Sequence, residues 1–162
     1  YDRGQLMISA LSIVTAGATA GFLIWNRPPA KIYMGDAGAL FLGIIVAVLT
    51  IRLNPDIQPT WKSLSIPLFL MAVPLLDTSV AVTSRLSRGI SPFTGGRDHL
   101  SHRLMRKGLH RRTAAITLWA LAGVYGTIAF AIYQGQATAL IALAAITWGY
   151  LFFFFIRIPH TD

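Results

Sequence analysis

A charge-free stretch of 44 residues occupies positions 113–156, TAAITLWALAGVYGTIAFAIYQGQATALIALAAITWGYLFFFFI. A helix that crosses a bilayer needs about 20 apolar residues, so this stretch is long enough for two crossings. The polar residues Gln134, Gly135 and Gln136 lie near its middle and are typical of a turn. The stretch therefore predicts two membrane helices, at about 113–133 and 137–156.

The rest of the chain adds three more apolar segments, at about 5–25, 37–53 and 63–84. The third contains Pro67 and Pro74, which predict a kinked or broken helix because proline removes a helical hydrogen bond. Over the whole chain, 54% of the residues are hydrophobic, 12% are charged and the mean hydropathy is +0.59. A soluble domain carries about 25% charged residues. We therefore expect an all-α polytopic membrane protein with about five transmembrane helices, a broken third helix and a basic loop that contains a short helix.

The basic residues are distributed unevenly between the loops. Loops 26–36 and 85–112, together with the residues after 156, hold 11 of the 14 Lys and Arg residues. Lys and Arg concentrate in the cytoplasmic loops of membrane proteins, so these segments and the C-terminus are expected in the cytoplasm, with the N-terminus outside. The net charge of +8 is then explained by the membrane topology of the chain and does not indicate a nucleic-acid partner. The sequence contains no cysteine, which excludes a disulfide framework and a Cys-based zinc site.

The first predicted cytoplasmic loop ends in Met34-Gly-Asp-Ala-Gly38, immediately before the second span. Asp36 has two interpretations there. It can cap the helix by accepting hydrogen bonds from free N–H groups, or it can bind a metal ion at the membrane face. The flanking glycines would allow a phosphate group or the backbone to come close.

The second loop, 85–112, carries eight basic residues and one acid, Asp98, and predicts a short helix opened by Gly95-Gly96 and closed by Gly108. His99 and His102 are three residues apart, as are Arg103 and Arg106, so each pair is expected to share a helix face. Leu100, Leu104 and Met105 are expected to lie on the membrane. Attraction to anionic lipid would explain many of the Lys and Arg residues of this loop. A zinc site is a weaker interpretation, because two histidines and no cysteine fall short of the usual set of ligands. A site for a phosphate-rich substrate fits the combination of Arg and His better.

Asp77 lies within the third span, about two turns before Arg85. An ionisable residue inside a membrane segment is a candidate functional residue, because burying its charge is costly. Asp77 can act as a ligand or as a cap at the helix break that Pro74 predicts.

Three stretches resemble the polyprenyl-phosphate N-acetylhexosamine-1-phosphate transferase family, also called glycosyltransferase family 4. They are 28–38 (PPAKIYMGDAG), 74–78 (PLLDT) and 96–104 (GRDHLSHRL). The third is most similar to the WecA and TagO branch of the family. The resemblance implies transfer of a sugar 1-phosphate, most simply that of N-acetylglucosamine, from a UDP-sugar to polyprenyl (undecaprenyl) phosphate with release of UMP. It also implies a requirement for Mg²⁺, with Mn²⁺ as an alternative, and a multi-pass enzyme of the inner (plasma) membrane whose active face is cytoplasmic.

The resemblance also assigns roles to residues of this chain. Asp36 would be a magnesium ligand and, with His99 and His102, a catalytic residue. The substrate-binding residues would be Arg97, Asp98, Arg103 and Asp77. The implied partners are a UDP-N-acetylhexosamine, a polyprenyl phosphate, the lipid bilayer and, as an alternative assembly, a second copy of the chain.

Two departures from the family pattern affect these expectations. Ala39 stands where the family usually has a serine, and the chain contains no Asp-Asp pair, although the family has one in its upstream half. Residues 1–162 are therefore expected to be the C-terminal part of a membrane transferase domain that is inactive without the upstream half. The alternative is a non-catalytic membrane module that binds anionic lipid, a nucleotide sugar or partner subunits.

Overall fold

The structure is a computed structural model that describes residues 3–27, 29–52, 59–94, 96–135 and 138–158, with the backbone alone for residues 3–5. All regular secondary structure in these ranges is α-helical. The helices are α1 (Arg3–Asn26), α2 (Gly35–Arg52), α3 (Thr60–Leu70), α4 (Ala72–Leu86), α5 (Leu100–Arg106), α6 (Arg111–Tyr133) and α7 (Thr138–Ile156).

The helices α1, α2, α6 and α7 are long and apolar enough to cross a membrane, and α3 with α4 makes a fifth candidate span. The prediction of an all-α, multi-pass membrane protein with about five spans is therefore confirmed. The turn between α6 and α7 includes Gly135 at a φ of +87°. Gln136, the other end of the predicted turn, lies outside the described residues.

The third span is broken, as its prolines predict. The axes of α3 and α4 differ by 73° across the junction at Met71. Pro74 has no N–H to donate to the carbonyl of Leu70, and its ring crowds that carbonyl, so the helix bends at this position. The indole Nε1 of Trp148 donates a hydrogen bond of 2.9 Å to the carbonyl of Ala72, which attaches α7 to the break.

The chain divides into two compact units, Tyr1–Asn54 and Pro55–Asp162. The first unit contains α1 and α2, and no residue of α2 is buried. Apolar side chains that remain exposed on a membrane helix are suited to contact lipid or other helices.

The second unit has its own apolar core, formed where α4, α5, α6 and the end of α7 meet. Leu76 and Val80 of α4 and Leu100 of α5 are fully buried in it. The expectation that Leu100 and Leu104 lie on the membrane is wrong, because the short helix buries both of them in this core. The core therefore fixes α5 against the ends of the neighbouring helices.

The short helix predicted in the basic loop is present as α5, and it ends as the sequence predicts. Gly108 has a φ of +93°, and its N–H donates a hydrogen bond of 2.9 Å to the carbonyl of Met105. The N–H of Leu109 donates a hydrogen bond of 3.2 Å to the carbonyl of Leu104, which completes a Schellman motif. The helix begins at Leu100, four residues after Gly96, so Gly96 does not open it. Gly95 lies outside the described residues.

Candidate functional site

The side chain of Asp77 reaches from α4 to the start of α5 and holds two groups there. Its Oδ2 lies 2.7 Å from Nδ1 of His99, and its Oδ1 accepts a hydrogen bond of 2.6 Å from the N–H of Leu100. Leu100 is the first residue of α5, and its N–H has no partner within the helix. Asp77 thus caps α5 from a neighbouring helix and contacts His99 at the same time.

The pairing of Asp77 with His99 gives the imidazole a defined orientation. With Nδ1 directed at a carboxylate, that nitrogen carries the proton in the neutral ring and Nε2 is left as the reactive nitrogen. The side chain of His99 is 49% exposed, so the ring is accessible to a ligand. An imidazole oriented in this way can accept a proton or donate one to an anionic oxygen.

The helix α5 has two chemically different faces. Leu100, Arg103 and Leu104 are buried on the inner face, whereas His102 and Arg106 are partly exposed. His102 and Arg106 are four residues apart and therefore lie on the same side of the helix. His99 is not in the helix, since it has extended backbone angles and occupies the N-cap position.

The buried Arg103 joins α5 to the backbone on either side of it. Its Nη1 donates to the carbonyls of Phe155 at 2.7 Å and Ile158 at 3.1 Å, and its Nε donates to the carbonyl of Asp98 at 2.9 Å. The side chain has no exposed surface. Burial lowers the pKa of Arg103 below its ordinary value. Its role in substrate binding stays a prediction, and this placement favours a role in packing.

Asp98 is also buried, and it binds two arginines at the end of α4. Its Oδ2 accepts from Nε of Arg85 at 2.8 Å and its Oδ1 accepts from Nη2 of Arg88 at 2.6 Å. Arg85 further donates to the carbonyl of Pro92 at 2.7 Å. These bonds fasten the segment before α5 to the end of α4. Substrate binding by Asp98 likewise stays a prediction.

Gly96 is packed closely against this cluster of charges. A Cβ atom at residue 96 would lie 2.6 Å from Oδ2 of Asp98 and 3.4 Å from Nη2 of Arg85. Since two arginines hold the carboxylate in place, a side chain at Gly96 would disturb the ion pairs. The close approach of backbone and carboxylate thus requires glycine here.

The outer face of α5 is strongly basic. Burial lowers the pKa of His102, and the positive charge of Arg97 lowers it further. His99 and Arg106 lower this pKa by smaller amounts, whereas Asp77 raises it.

Arg106 lies on the same face and donates a hydrogen bond from Nη1 to the carbonyl of Arg97 at 3.3 Å. Its Nε and Nη2 are shielded from solvent and have no hydrogen-bond partner among the described residues. A guanidinium binds an anionic oxygen strongly, and these unpaired N–H bonds would gain a partner if the side chain turned towards one.

Asp36 lies in the other unit, in the first turn of α2. It is exposed, and it follows Gly35, whose φ of +66° is readily adopted only by glycine. Because α2 begins at Gly35, Asp36 is inside the helix and not at its N-cap, where its negative charge still favours the helix N-terminus. No described residue forms a hydrogen bond with its carboxylate, so its oxygens are available for a ligand.

A metal ion would find few protein ligands in the described parts of the chain. No group of three or more His or Asp side chains comes close enough to hold one there. Mg²⁺ is commonly bound by one or two carboxylates, with water and substrate phosphates completing the shell. The free carboxylate of Asp36 fits that limited role, whereas both oxygens of Asp77 are already bonded within the second unit.

The sequence did not single out Arg85 and Arg88, although they hold Asp98. Two signals point to them. They are three residues apart at the end of a predicted helix, and Asp98 is the only acid in a loop with eight basic residues. An acid in such surroundings forms ion pairs wherever the backbone allows it.

Known proteins match this chain along most of its length. A family model described as glycosyl transferase family 4 matches residues 1–54. A Bacillus subtilis protein named "Probable undecaprenyl-phosphate N-acetylglucosaminyl 1-phosphate transferase" is 32% identical over 155 residues, which cover 96% of this chain and 40% of that protein. The chain belongs to glycosyl transferase family 4.

Other members of the family show the same extent of similarity. A Mycobacterium tuberculosis protein named "Decaprenyl-phosphate N-acetylglucosaminephosphotransferase" is 34% identical over 150 residues, covering 85% of this chain and 37% of the relative. A Yersinia pestis protein named "Undecaprenyl-phosphate alpha-N-acetylglucosaminyl 1-phosphate transferase" is 31% identical and covers 93% of this chain and 44% of the relative. The chain thus spans about two fifths of the length of these family 4 proteins. No solved structure matches it.

Proposed function

We propose that this chain is part of an enzyme that transfers N-acetylglucosamine 1-phosphate from the UDP-sugar to a polyprenyl phosphate, releasing UMP. The names of the relatives in B. subtilis, M. tuberculosis and Y. pestis support this reaction. The observation that carries the proposal to this chain is the pair of Asp77 and His99. It places an oriented imidazole beside a basic helix face.

The basic face of α5 suits the diphosphate of a nucleotide sugar. Arg97, His102 and Arg106 surround one region with positive charge or hydrogen-bond donors. Three N–H bonds of Arg106, one on Nε and two on Nη2, have no partner among the described residues. A turn of the side chain towards a phosphate would pair them, which removes the cost of leaving them unbonded. Transfer of a phosphoryl group depends mainly on positioning and charge neutralisation, and these groups supply both.

Within this scheme His99 and His102 hold the diphosphate, and Asp77 keeps Nε2 of His99 directed away from α4. Arg97 and Arg106 offset the negative charge of the leaving UMP. Asp98 and Arg103 act from inside the unit by fixing the segment that bears Arg97 and His99. In the first unit, Asp36 is the residue that would hold Mg²⁺, an ion that supplies charge neutralisation in phosphoryl transfer.

The proposed location is the inner (plasma) membrane, with the α4–α5 site on the cytoplasmic face. The excess of Lys and Arg in loops 26–36 and 85–112 supports this orientation. A nucleotide sugar is a soluble cytoplasmic compound in such a reaction, so the site and its substrate would meet on the same side. The acceptor lipid would approach from within the bilayer.

The test is release of UMP from UDP-N-acetylglucosamine with undecaprenyl phosphate and Mg²⁺. It should be run on residues 1–162 and on the complete reading frame that encodes them, each reconstituted in liposomes. We expect turnover only in the complete protein, and a loss of about 10²-fold or more on His99→Ala, the size typical of losing one group that stabilises developing charge. His110→Ala is the matched control because His110 lies in the same loop at the N-cap of α6.

A second candidate function rests on the absence of any Asp-Asp pair from the chain. A non-catalytic membrane module would bind uridine nucleotides through the α5 face without turning them over. Isothermal titration with UMP would detect binding in both cases. Binding without UMP release in the complete protein would favour the module, and release that persists in His99→Ala would overturn the site assignment.

A further inference from the structure

A second basic surface lies on the other end of α5, away from His99. Lys107, the C-cap residue of α5, and Arg157, which follows the last residue of α7, line one open cavity of about 390 Å³. The remaining lining is apolar and comes from the end of α7, namely Tyr150, Phe153, Phe154 and Ile158. This cavity takes none of its lining from Asp77, His99 or His102, so it is distinct from the candidate active site.

The two cations of the cavity are available to a ligand. Both side chains are exposed, and no carboxylate among the residues that the structure describes pairs with either of them. Nζ of Lys107 lies 5.9 Å from the centre of the Phe154 ring, which is a cation–π distance. A cation held over an aromatic ring keeps its remaining donors free for an anion.

The aromatic lining places the cavity at the membrane surface. Tyr150 is 69% exposed and Phe153 is 61% exposed, in the last two turns of a helix that is apolar along its whole length. Aromatic side chains at the ends of membrane helices concentrate at the level of the lipid headgroups. The apolar rings are therefore suited to contact acyl chains, while Lys107 and Arg157 lie where a headgroup phosphate would be.

The cavity is connected to the candidate active site through α5. Arg103, one turn before Lys107, donates to the carbonyls of Phe155 and Ile158 beside the cavity at 2.7 and 3.1 Å. A ligand that bridges Lys107 and Arg157 would join the same two segments, α5 and the end of α7, from the outside. It would thereby hold in place the helix that carries His102 and Arg106.

We propose that this cavity binds the phosphate headgroup of an anionic membrane phospholipid, which holds the C-terminal end of α5 against α7. The acyl chains lie along Tyr150, Phe153 and Phe154, and the phosphate lies between Lys107 and Arg157. Positive charge near the surface contributes about 1 kcal/mol per basic residue to binding of anionic lipid. Two cations at a single headgroup thus account for a preference of about 30-fold over a zwitterionic lipid.

The experiment measures lipid binding directly and needs no turnover. The complete protein is purified in mild detergent and titrated with phosphatidylglycerol or with phosphatidylcholine, and bound lipid is counted by native mass spectrometry. We expect one phosphatidylglycerol to bind more tightly than the others, and the double variant Lys107→Gln/Arg157→Gln to weaken that binding by about 30-fold. Arg111→Gln/Lys31→Gln is the control, since it removes the same two charge types from exposed residues outside the cavity.

Three results would overturn the proposal. Equal binding by the wild type and the cavity variant would show that no site exists there. An equal loss of phosphatidylglycerol binding in the control variant would show that the effect comes from net charge and not from a site. Displacement of the tightest phosphatidylglycerol by one equivalent of undecaprenyl phosphate would assign the cavity to the acceptor lipid. Because the readout is lipid binding, loss of UMP release in any variant bears on the proposed reaction and not on this site.

Discussion

Oδ2 of Asp77 and Nδ1 of His99 lie 2.7 Å apart, although the two residues are 22 positions apart in the chain, one within α4 and the other at the N-cap of α5. The same carboxylate caps α5 through its other oxygen. One side chain thus fixes both the position of the short helix and the orientation of the imidazole in front of it.

Asp77→Asn should lower kcat/KM for UMP release by roughly 10- to 100-fold, the usual cost of losing the residue that orients a functional histidine. An amide can present its NH₂ group to Nδ1 and so favour the opposite tautomer. Steady-state kinetics of the complete protein in liposomes would measure the change. Thr78→Val, at the exposed neighbouring position, should retain normal rates. A normal rate in Asp77→Asn would mean that the contact is only structural.

Asp98→Asn should destabilise the second unit by about 3 kcal/mol, since breaking a buried ion pair leaves uncompensated charge. Arg85 and Arg88 would both lose a carboxylate partner, and Arg85 is itself buried. Thermal unfolding in detergent would detect the loss, and Arg111→Gln should leave the unfolding temperature unchanged. If Asp98→Asn unfolds normally but binds UDP-N-acetylglucosamine more weakly, Asp98 is a substrate contact instead.

Gly96→Ala should destabilise the same cluster by about 1–3 kcal/mol, because the new Cβ would lie 2.6 Å from Oδ2 of Asp98. Gly123→Ala is the matched control, since a Cβ there meets no atom within 4 Å. Chemical denaturation of the two variants side by side would separate the cost of crowding from the general effect of replacing glycine in the chain. Equal stability of both variants would contradict the close packing at Gly96.

The pKa of His102 predicts how stability depends on pH. Burial, followed by Arg97, His99 and Arg106, lowers this pKa below its ordinary value of 6.5, against the opposing effect of Asp77. The unfolded chain therefore takes up a proton at this position more readily than the folded protein does, so stability falls as the pH drops below about 6.5.

Replacing His102 by Gln should make the unfolding temperature less sensitive to pH between 7.5 and 5.5, a range that spans the ordinary titration of histidine. His110→Gln is the matched control, because it removes a histidine of the same loop that lies at the N-cap of α6. Thermal unfolding at a series of pH values would provide both slopes. Identical slopes for His102→Gln and the wild type would show that His102 titrates as it does in the unfolded chain.

The sequence by itself determined the membrane architecture. Long charge-free stretches require helices in a bilayer, Pro74 bends the third span, and Gly108 ends α5, because each depends on local chemistry or on length. Pro67, by contrast, is accommodated inside α3. It also marked Asp77 and His99 as functional candidates, from the cost of a carboxylate in a span and from the residue types of the basic loop.

Only the tertiary structure decided which loop residues point inward. Leu100, Arg103 and Leu104 share one face of α5, and packing against α4, α6 and α7 determines that this face is buried. Whether a carboxylate binds substrate or an arginine depends on contacts between residues far apart in the chain, as for Asp98 with Arg85 and for Asp77 with His99. Helical periodicity assigns residues to faces, but which face is buried follows from the neighbouring helices, and local sequence does not encode their positions.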